Sequence, residues 1–334
     1  MRNNAGMRNT AWPPASLPRR SALKAALTWG VASLMIPAVT SCTPDDKPEN
    51  MTIAGGEPGG FYLEFCTLLA ESLQRHGVAG NAAPVTTGGS LENMERLMAG
   101  EATLAVALAD AAVEKAAAES GRIVALGKVY ENYVHCIVRT DSGFRSLTDL
   151  AGKTAAIGAV GSGTSFTAHR IIQAAGLAGP SDRAVREVYL GLNAGLAALR
   201  TGSVDALLWS GGVPTAAIAA ANNEVGLRFL ELSPVIPALR RNHGAYYDRV
   251  LIPENSYEGT PAVGTVGVAN LLLCRRDLDD RTVTRTVELL VTHARELIPQ
   301  SSRGVQFLSR ETLINTAGLP LHPAAVTAYQ ALHG

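Results

Sequence analysis

The chain of 334 residues holds 29 basic and 29 acidic side chains, with 47% hydrophobic and 17% charged residues. That composition excludes intrinsic disorder and supplies enough apolar surface for two cores. The balanced charge excludes the basic footprint that a nucleic-acid binder needs.

Residues 1–42 read as an export signal. Arg2, Arg8, Arg19, Arg20 and Lys24 precede an uncharged run from Ala25 to Ser41, and no acid occurs before Asp45. A basic start, an apolar stretch and small residues before a cut site make up that pattern. Val39-Thr40-Ser41-Cys42 resembles a bacterial lipobox, which implies lipidation of Cys42 and a lipid anchor; an uncleaved membrane anchor is the alternative. Arg19-Arg20 with Leu23-Lys24 is similar to a twin-arginine signal, from which Pro18 and Ala22 depart. Cleavage before Cys42 removes five basic and no acidic residues, leaving 24 basic against 29 acidic. Residues 43–50 (TPDDKPEN) hold two prolines and no large apolar residue, and read as a flexible tether.

From residue 51 onward, apolar runs alternate with helical spacing. Strands are expected at Met51–Ala54, Pro84–Thr86, Leu104–Leu108, Tyr133–Arg139, Thr154–Ile157, Glu187–Leu190, Ala206–Trp209, Leu227–Leu232 and Thr265–Cys274. Helices are expected at Phe61–Arg75, Leu91–Ala99, Ser165–Ala175, Leu192–Arg200, Val213–Ala221 and Asp280–Leu297. Ser90 with Asn93, Ser146 with Asp149, and Asp279 before Arg281 have the chemistry of helix starts; Gly100, Gly176 and Gly202 have that of helix ends. This alternation predicts parallel βαβ units with helices on both sheet faces.

Two long apolar strands, YVHCIVRT and TVGVANLLLCRR, flank the central third of the chain and read as crossings between lobes. The expected architecture is an α/β bilobed clamshell, with residues 51–131 plus 267–334 as lobe 1 and 132–266 as lobe 2. Its cleft would collect the C-terminal strand ends, with hinges near Tyr130–Tyr133 and Thr265–Ala269.

Four strand ends run into loops of Gly, Ser and Thr that open a helix: GGEPGGFY, TTGGSLEN, GAVGSGTSF and SGGVPTAAI. Each junction presents free N–H groups and the positive end of a helix dipole, a cradle for an anion or polar ligand. Candidate ligand contacts are therefore Gly59, Gly60, Phe61, Tyr62, Thr87, Gly88, Gly89, Ser90 and Asn93 in the first two loops. Gly161, Ser162, Gly163, Thr164 and Ser165 follow in the third, and Gly211, Gly212, Val213 and Pro214 in the fourth. Asp110 at a strand end could meet a ligand ammonium or cap the next helix. Tyr130 and Trp209 are candidate cleft aromatics or core residues. Ser90 and Ser162 also read as helix caps, and Pro214 as lying near the first position of its helix.

Catalytic patterns do not emerge. Ser90, Ser162 and Ser210 miss the G-x-S-x-G elbow, and GKT at 152–154 follows Leu147 where a phosphate loop needs glycine. GAVGSG at 158–163 lacks the dinucleotide order. The seven histidines are scattered, and Cys66, Cys136 and Cys274 sit in apolar contexts as buried free thiols, so neither metal site nor cofactor is expected.

Five segments carry a more specific likeness: GGEPGGFY, TTGGSLENMERLMAGEATLAVALAD, VRTDSGFRSLTDLAGKTAAIGAVGSGTSFTAHRIIQAAGL, GLNAGLAALRTGSVDALLWSGGVPTAAI and LPLHPAAVTAY. In this order they resemble the TAXI-type solute-binding proteins of TRAP transporters. The resemblance implies a type II periplasmic-binding-protein fold. It also implies capture of a small carboxylate or amino acid, glutamate-like ligands among them, for an ion-gradient-driven permease. Glu57 and Pro58 depart from the family's run of Gly and Thr, and Leu108 stands where many relatives have Gln. A lipid-tethered extracytoplasmic receptor, and not an enzyme, is the expectation. A receptor feeding a membrane sensor and an envelope enzyme of similar fold are the alternatives.

Overall fold

A computed structural model describes residues 47–299 and 309–333. The expected signal, Cys42 and the start of the tether lie outside the described residues. The end of the tether is held: Gly80 N–H donates to Pro48 O (2.9 Å) and Asn81 N–H to Glu49 O (2.7 Å), against the expectation of a flexible segment up to Asn50.

Strand β1 (Asn50–Ala54) pairs in parallel with β2 (Asn81–Val85) and β3 (Leu104–Leu108). Helices α1 (Phe61–Arg75) and α2 (Ser90–Ala99) make the crossovers, and α3 (Ala109–Ala118) follows β3 without a loop. After β4 (Ile123–Arg139) come β5 (Thr154–Ala156), α4 (Gly163–Ala174), β6 (Arg186–Val188), α5 (Leu192–Thr201) and β7 (Ala206–Gly211). Helix α6 (Ala216–Val225), β8 (Leu227–Phe229), α7 (Ile236–His243) and β9 (Tyr247–Ile252) lead to β10 (Val263–Arg275). Helices α8 (Asp280–Thr292), α9 (Arg310–Leu313) and α10 (Pro323–His333) follow.

The strands lie in the order β2-β1-β3-β10-β4-β7-β5-β6, with β8 on β4 and β9 on β10. The antiparallel pair β4–β10 therefore joins two parallel sets. The C-terminal part of β10 pairs with β3, and its N-terminal part with β9. The C-terminal part of β4 pairs with β7 and β8. Alternate strand residues separate the layers, as the two-residue period of a strand requires. Leu104 and Val106 join a core with Phe65 and Leu69 of α1, Leu196 of α5 and Val287 of α8; Ala105 and Ala107 join Met94 and Leu97 of α2. Similarly Leu207 and Trp209 face the α1–α5–α8 core, while Ala206 and Leu208 pack with Ile171 of α4 and Leu239 of α7. Each fully buried Leu or Phe here contributes about 1.5–3 kcal/mol.

Several boundaries differ from expectation. Strand β4 starts ten positions before Tyr133, because its internal charges Lys128 and Glu131 pair with each other (2.5 Å) and permit burial. Gly89, not Ser90, occupies the cap position of α2; Ser90 lies inside the helix and its Oγ accepts from Leu108 N–H (3.0 Å). Helix α6 opens at Ala216 behind Thr215, so Pro214 precedes the helix instead of starting it, through a cis Val213–Pro214 bond. The helix expected over 280–297 stops at Thr292, and a separate 3-10 turn covers Ala294–Leu297. Among the described residues no helix is long and apolar enough to cross a membrane.

Candidate functional site

The C-terminal ends of β1, β2, β3 and β7 converge with the N-termini of α1, α2 and α4 around one small cavity of about 30 Å³. Its walls include Gly56, Glu57, Gly60, Phe61 and Tyr62 after β1; Gly88, Gly89 and Ser90 after β2; and Leu108 ending β3. Opposite lie Ser162, Gly163 and Thr164, with Asn132 of β4 and Trp209, Ser210 and Gly211 of β7. Backbones meet closely across it. A Cβ on Gly163 would lie 2.2 Å from Ser90 Oγ, and Leu91 N–H donates to Gly161 O (3.1 Å). Only glycine lets the start of α4 approach α2 this near. The volume holds about two waters, so an organic ligand enters only if the walls part.

The polar atoms divide into satisfied and unsatisfied groups. Ser162 caps α4, its Oγ accepting from Ser165 N–H (3.0 Å). Thr164 Oγ1 accepts from Ser210 N–H (3.3 Å), and Asn132 Nδ2 donates to Ser210 Oγ (3.3 Å). Tyr62 hydroxyl lies 3.4 Å from Ser90 Oγ, and burial pushes its ionisation well above the ordinary value, so it stays neutral. By contrast Trp209 Nε1 and Asn132 Oδ1 are buried with no hydrogen-bond partner among the described residues. Such atoms cost about 1–3 kcal/mol each unless something pairs with them. Glu57 is the one carboxylic side chain among the lining residues, and its burial raises its ionisation value.

Of the residues proposed from the sequence, Gly60, Phe61, Tyr62, Gly88, Gly89, Ser90, Ser162, Gly163, Thr164, Trp209 and Gly211 line this cavity. Gly59, Thr87, Asn93, Asp110, Tyr130, Gly161, Ser165, Gly212, Val213 and Pro214 are not among its lining residues. Thr87 and Asn93 brace it instead. Thr87 Oγ1 donates to Gly55 O (3.0 Å), and Asn93 Nδ2 donates to Val106 O (2.8 Å), tying the ends of β1 and β3 to the loop. Tyr130 packs edge-on against Phe61 (4.9 Å between ring centres) and near Phe65. Asp110 is buried elsewhere, accepting from Thr167 Oγ1 (2.8 Å) and Tyr247 hydroxyl (3.1 Å) with Oδ2, and from Ala111 N–H (2.9 Å) with Oδ1. Leu108 lines the wall where many relatives have Gln; Gly56, Asn132 and Ser210 were not foreseen as lining residues.

Behind Trp209 runs a hydrogen-bond relay. Thr215 N–H donates to Tyr257 hydroxyl (2.9 Å), which lies 2.8 Å from His135 Nε2; His135 Nδ1 lies 3.4 Å from Trp209 O. The tyrosine, accepting from Thr215, donates to Nε2, and Nδ1–H points at the carbonyl. Burial drops the His135 value to about 4, so the imidazole is neutral.

Away from the cavity, Cys66, Cys136 and Cys274 are buried free thiols. His76, His293 and Glu296 lie with donor atoms within 4.8 Å of one another, a grouping the scattered histidines concealed. The two imidazoles stack face to face, 3.6 Å between centres at 22°. Stacked rings hold their lone pairs in separate parallel planes that do not converge on one ion. Glu296 also accepts from Arg75 (2.6 Å) and Ser72 (3.0 Å), which makes the group an ion-pair fastening of α1 to the turn after α8.

Comparison with known proteins gives the following. The model of the NMT1-like family matches residues 53–331. A solved protein of Bordetella bronchiseptica is similar at 13% identity, covering 86% of this chain and 98% of its own, with a TM-score of 0.50. A Xanthomonas citri protein bound to ATP is similar at 12% identity over 85% of this chain and 95% of its own, TM-score 0.50. The periplasmic aliphatic sulphonate binding protein of Escherichia coli is 19% identical over 85% and 84%, TM-score 0.46. The architecture is an α/β bilobed clamshell of the periplasmic-binding-protein kind.

Proposed function

The chain belongs to the NMT1-like family, a periplasmic solute-binding protein type, and on that premise we propose that its cavity holds a small carboxylate or amino acid, glutamate-like in character. The observation that carries this reading is the pair of buried, unpartnered atoms, Trp209 Nε1 and Asn132 Oδ1, in a cavity onto which the N-termini of α1, α2 and α4 open. Helix N-termini and an indole N–H favour an anionic oxygen. The Asn132 oxygen favours an ammonium.

The lobes follow the division 51–131 plus 267–334 and 132–266. The pairing of Val268 opposite Asn132 in adjacent antiparallel strands supports Tyr130–Tyr133 and Thr265–Ala269 as the hinge segments. Closing on a ligand stabilises one member of an open–closed pair, which a membrane partner then reads. Likeness of the five sequence segments supports a TRAP-type permease as that partner, and the N-terminal pattern supports export with anchoring through Cys42.

Mass spectrometry of small molecules released from natively purified protein tests the reading. The expected outcome is a carboxylate or amino acid, which then titrates calorimetrically at one site per chain. Trp209→Phe removes one hydrogen bond to a charged group and should weaken binding at least tenfold. Recovery of a chemically altered product, or equal binding by Trp209→Phe, sinks the assignment.

A further inference from the structure

The β1–α1 loop reaches across the cavity to the opposite lobe. Glu57 Oε2 accepts from Leu192 N–H (2.9 Å) at the first residue of α5, and Asn193 Nδ2 donates to Pro58 O (3.3 Å). Glu57 thereby caps a helix 135 residues away, where α5 has no side-chain cap of its own.

The second observation is Gly191, at the cap position of α5. Its φ of −63° is open to any residue, so the backbone does not require glycine there. What it lacks is room. A Cβ at this position would lie 2.4 and 2.6 Å from the two Glu57 oxygens, and the three atoms nearest to it all belong to that carboxylate. The missing side chain is a seat shaped for a group from the other lobe.

We infer that Glu57 and Gly191 form a latch that holds the two lobes closed and must part before solute exchanges. This rests on the reading of the cavity as a solute site between lobes. The latch also gives the one carboxylic lining side chain a partner of its own, the N–H at the start of α5. Burial raises the Glu57 ionisation value, and the Leu192 N–H only partly draws it back. An amide oxygen accepts from the Leu192 N–H as a carboxylate oxygen does, so Glu57→Gln keeps the latch while Glu57→Ala removes it.

Spin labels at Glu71→Cys and Ala197→Cys, both exposed sites in α1 and α5, report lobe separation in the full protein without added solute. Loss of one hydrogen bond should raise the open-to-closed ratio about 2- to 10-fold in Glu57→Ala. Gly191→Ala should open the lobes at least as much, because it expels the carboxylate. The double variant Glu57→Ala with Gly191→Ala should return to the single Glu57→Ala level, since the clash has gone. Hydrogen exchange at the Leu192 amide should accelerate in Glu57→Ala and Gly191→Ala and remain slow in Glu57→Gln. Unchanged distances and unchanged Leu192 exchange in both disrupting variants overturn the latch. So does a Gly191→Ala penalty that persists after Glu57 is removed. Because no solute is added, these results are separable from failure to find a bound carboxylate.

Discussion

The cavity and the Asp110 cluster both lie where residues before 131 meet the segment 132–266, yet their polar atoms are arranged in opposite ways. At Asp110 both carboxylate oxygens are used, by Thr167, Tyr247 and Ala111, and Arg170 supports the same tyrosine (3.0 Å). In the cavity, neutral groups dominate and two of them, Trp209 Nε1 and Asn132 Oδ1, stay unpaired. A cluster whose bonds are complete rigidifies its surroundings and has nothing left to offer a ligand, whereas an incomplete one is costly unless something else completes it. The difference separates a clamp from a binding site, although both were drawn from the same row of strand ends.

The largest effect should come from the neutral wall behind the cavity. His135 titrates near 4 in the folded protein because of burial, against about 6.5 when unfolded. A depressed histidine binds its proton more readily in the unfolded chain. Its contribution is therefore fully present above pH 6.5 and is lost as pH falls from 6.5 toward 4. Linkage gives about 1.4 kcal/mol per pH unit in that window, or about 3 kcal/mol in all. Urea unfolding across pH 7 to 4 should show this slope in wild type and a flatter one in His135→Gln. An equal slope in both would show that the buried imidazole of His135 is not the source of the acid-side loss.

Next comes the clamp itself. Asp110→Ala strands the Thr167 and Ala111 donors in a buried setting and should cost about 2 kcal/mol in unfolding free energy. The charge contributes little to that figure, since burial raises the carboxyl's value despite its hydrogen bonds and the nearby Arg170. Trp209→Phe should do the reverse, weakening solute binding far more than stability. If Asp110→Ala leaves the urea midpoint in place but abolishes solute binding, Asp110 belongs to the site and the division drawn here fails.

How much of this was legible in the chain follows from the range of each interaction. Helix α1 and strand β3 came out with the expected ends because their apolar spacing is local and strong. Ser146 with Asp149 forms the capping box its spacing foretold, and Asp279 caps α8 through Thr282 N–H (2.8 Å). The helix after Asp110 was given no bounds because its Ala-rich run follows an apolar strand with no break in composition, and β9 was missed because Asp248 and Arg249 interrupt its apolar residues. The role of Asp110 could not be read, since its partners Thr167 and Tyr247 lie 57 and 137 residues away. Ser90 shows the same limit at shorter range: its hydroxyl satisfies Leu108, 18 residues on, in preference to its own helix. The glycine-rich loops were visible, but which of their residues face inward depends on strand register, and that sorted Ser162 into the cavity lining and Ser165 out of it.

The smallest effect tests the inward face of α4. Thr164 Oγ1 accepts from Ser210 N–H at 3.3 Å, and its own proton has no acceptor among the described residues. A carboxylate at the start of α4 would take that proton in a charge-assisted bond worth about 1.5 kcal/mol or more, tenfold or more in affinity. Thr164→Val keeps the shape and loses the hydroxyl; the unpaired Ser210 N–H should cost about 1 kcal/mol of stability besides. Stability loss alone cannot distinguish a ligand contact from a buried cap, so the solute's amide analogue is the sharper probe. It should bind wild type weakly and be penalised less than the acid by Thr164→Val, and calorimetry on the four combinations yields that coupling. Equal penalties for acid and amide would place Thr164 with Asp110, among the groups whose bonds are already complete.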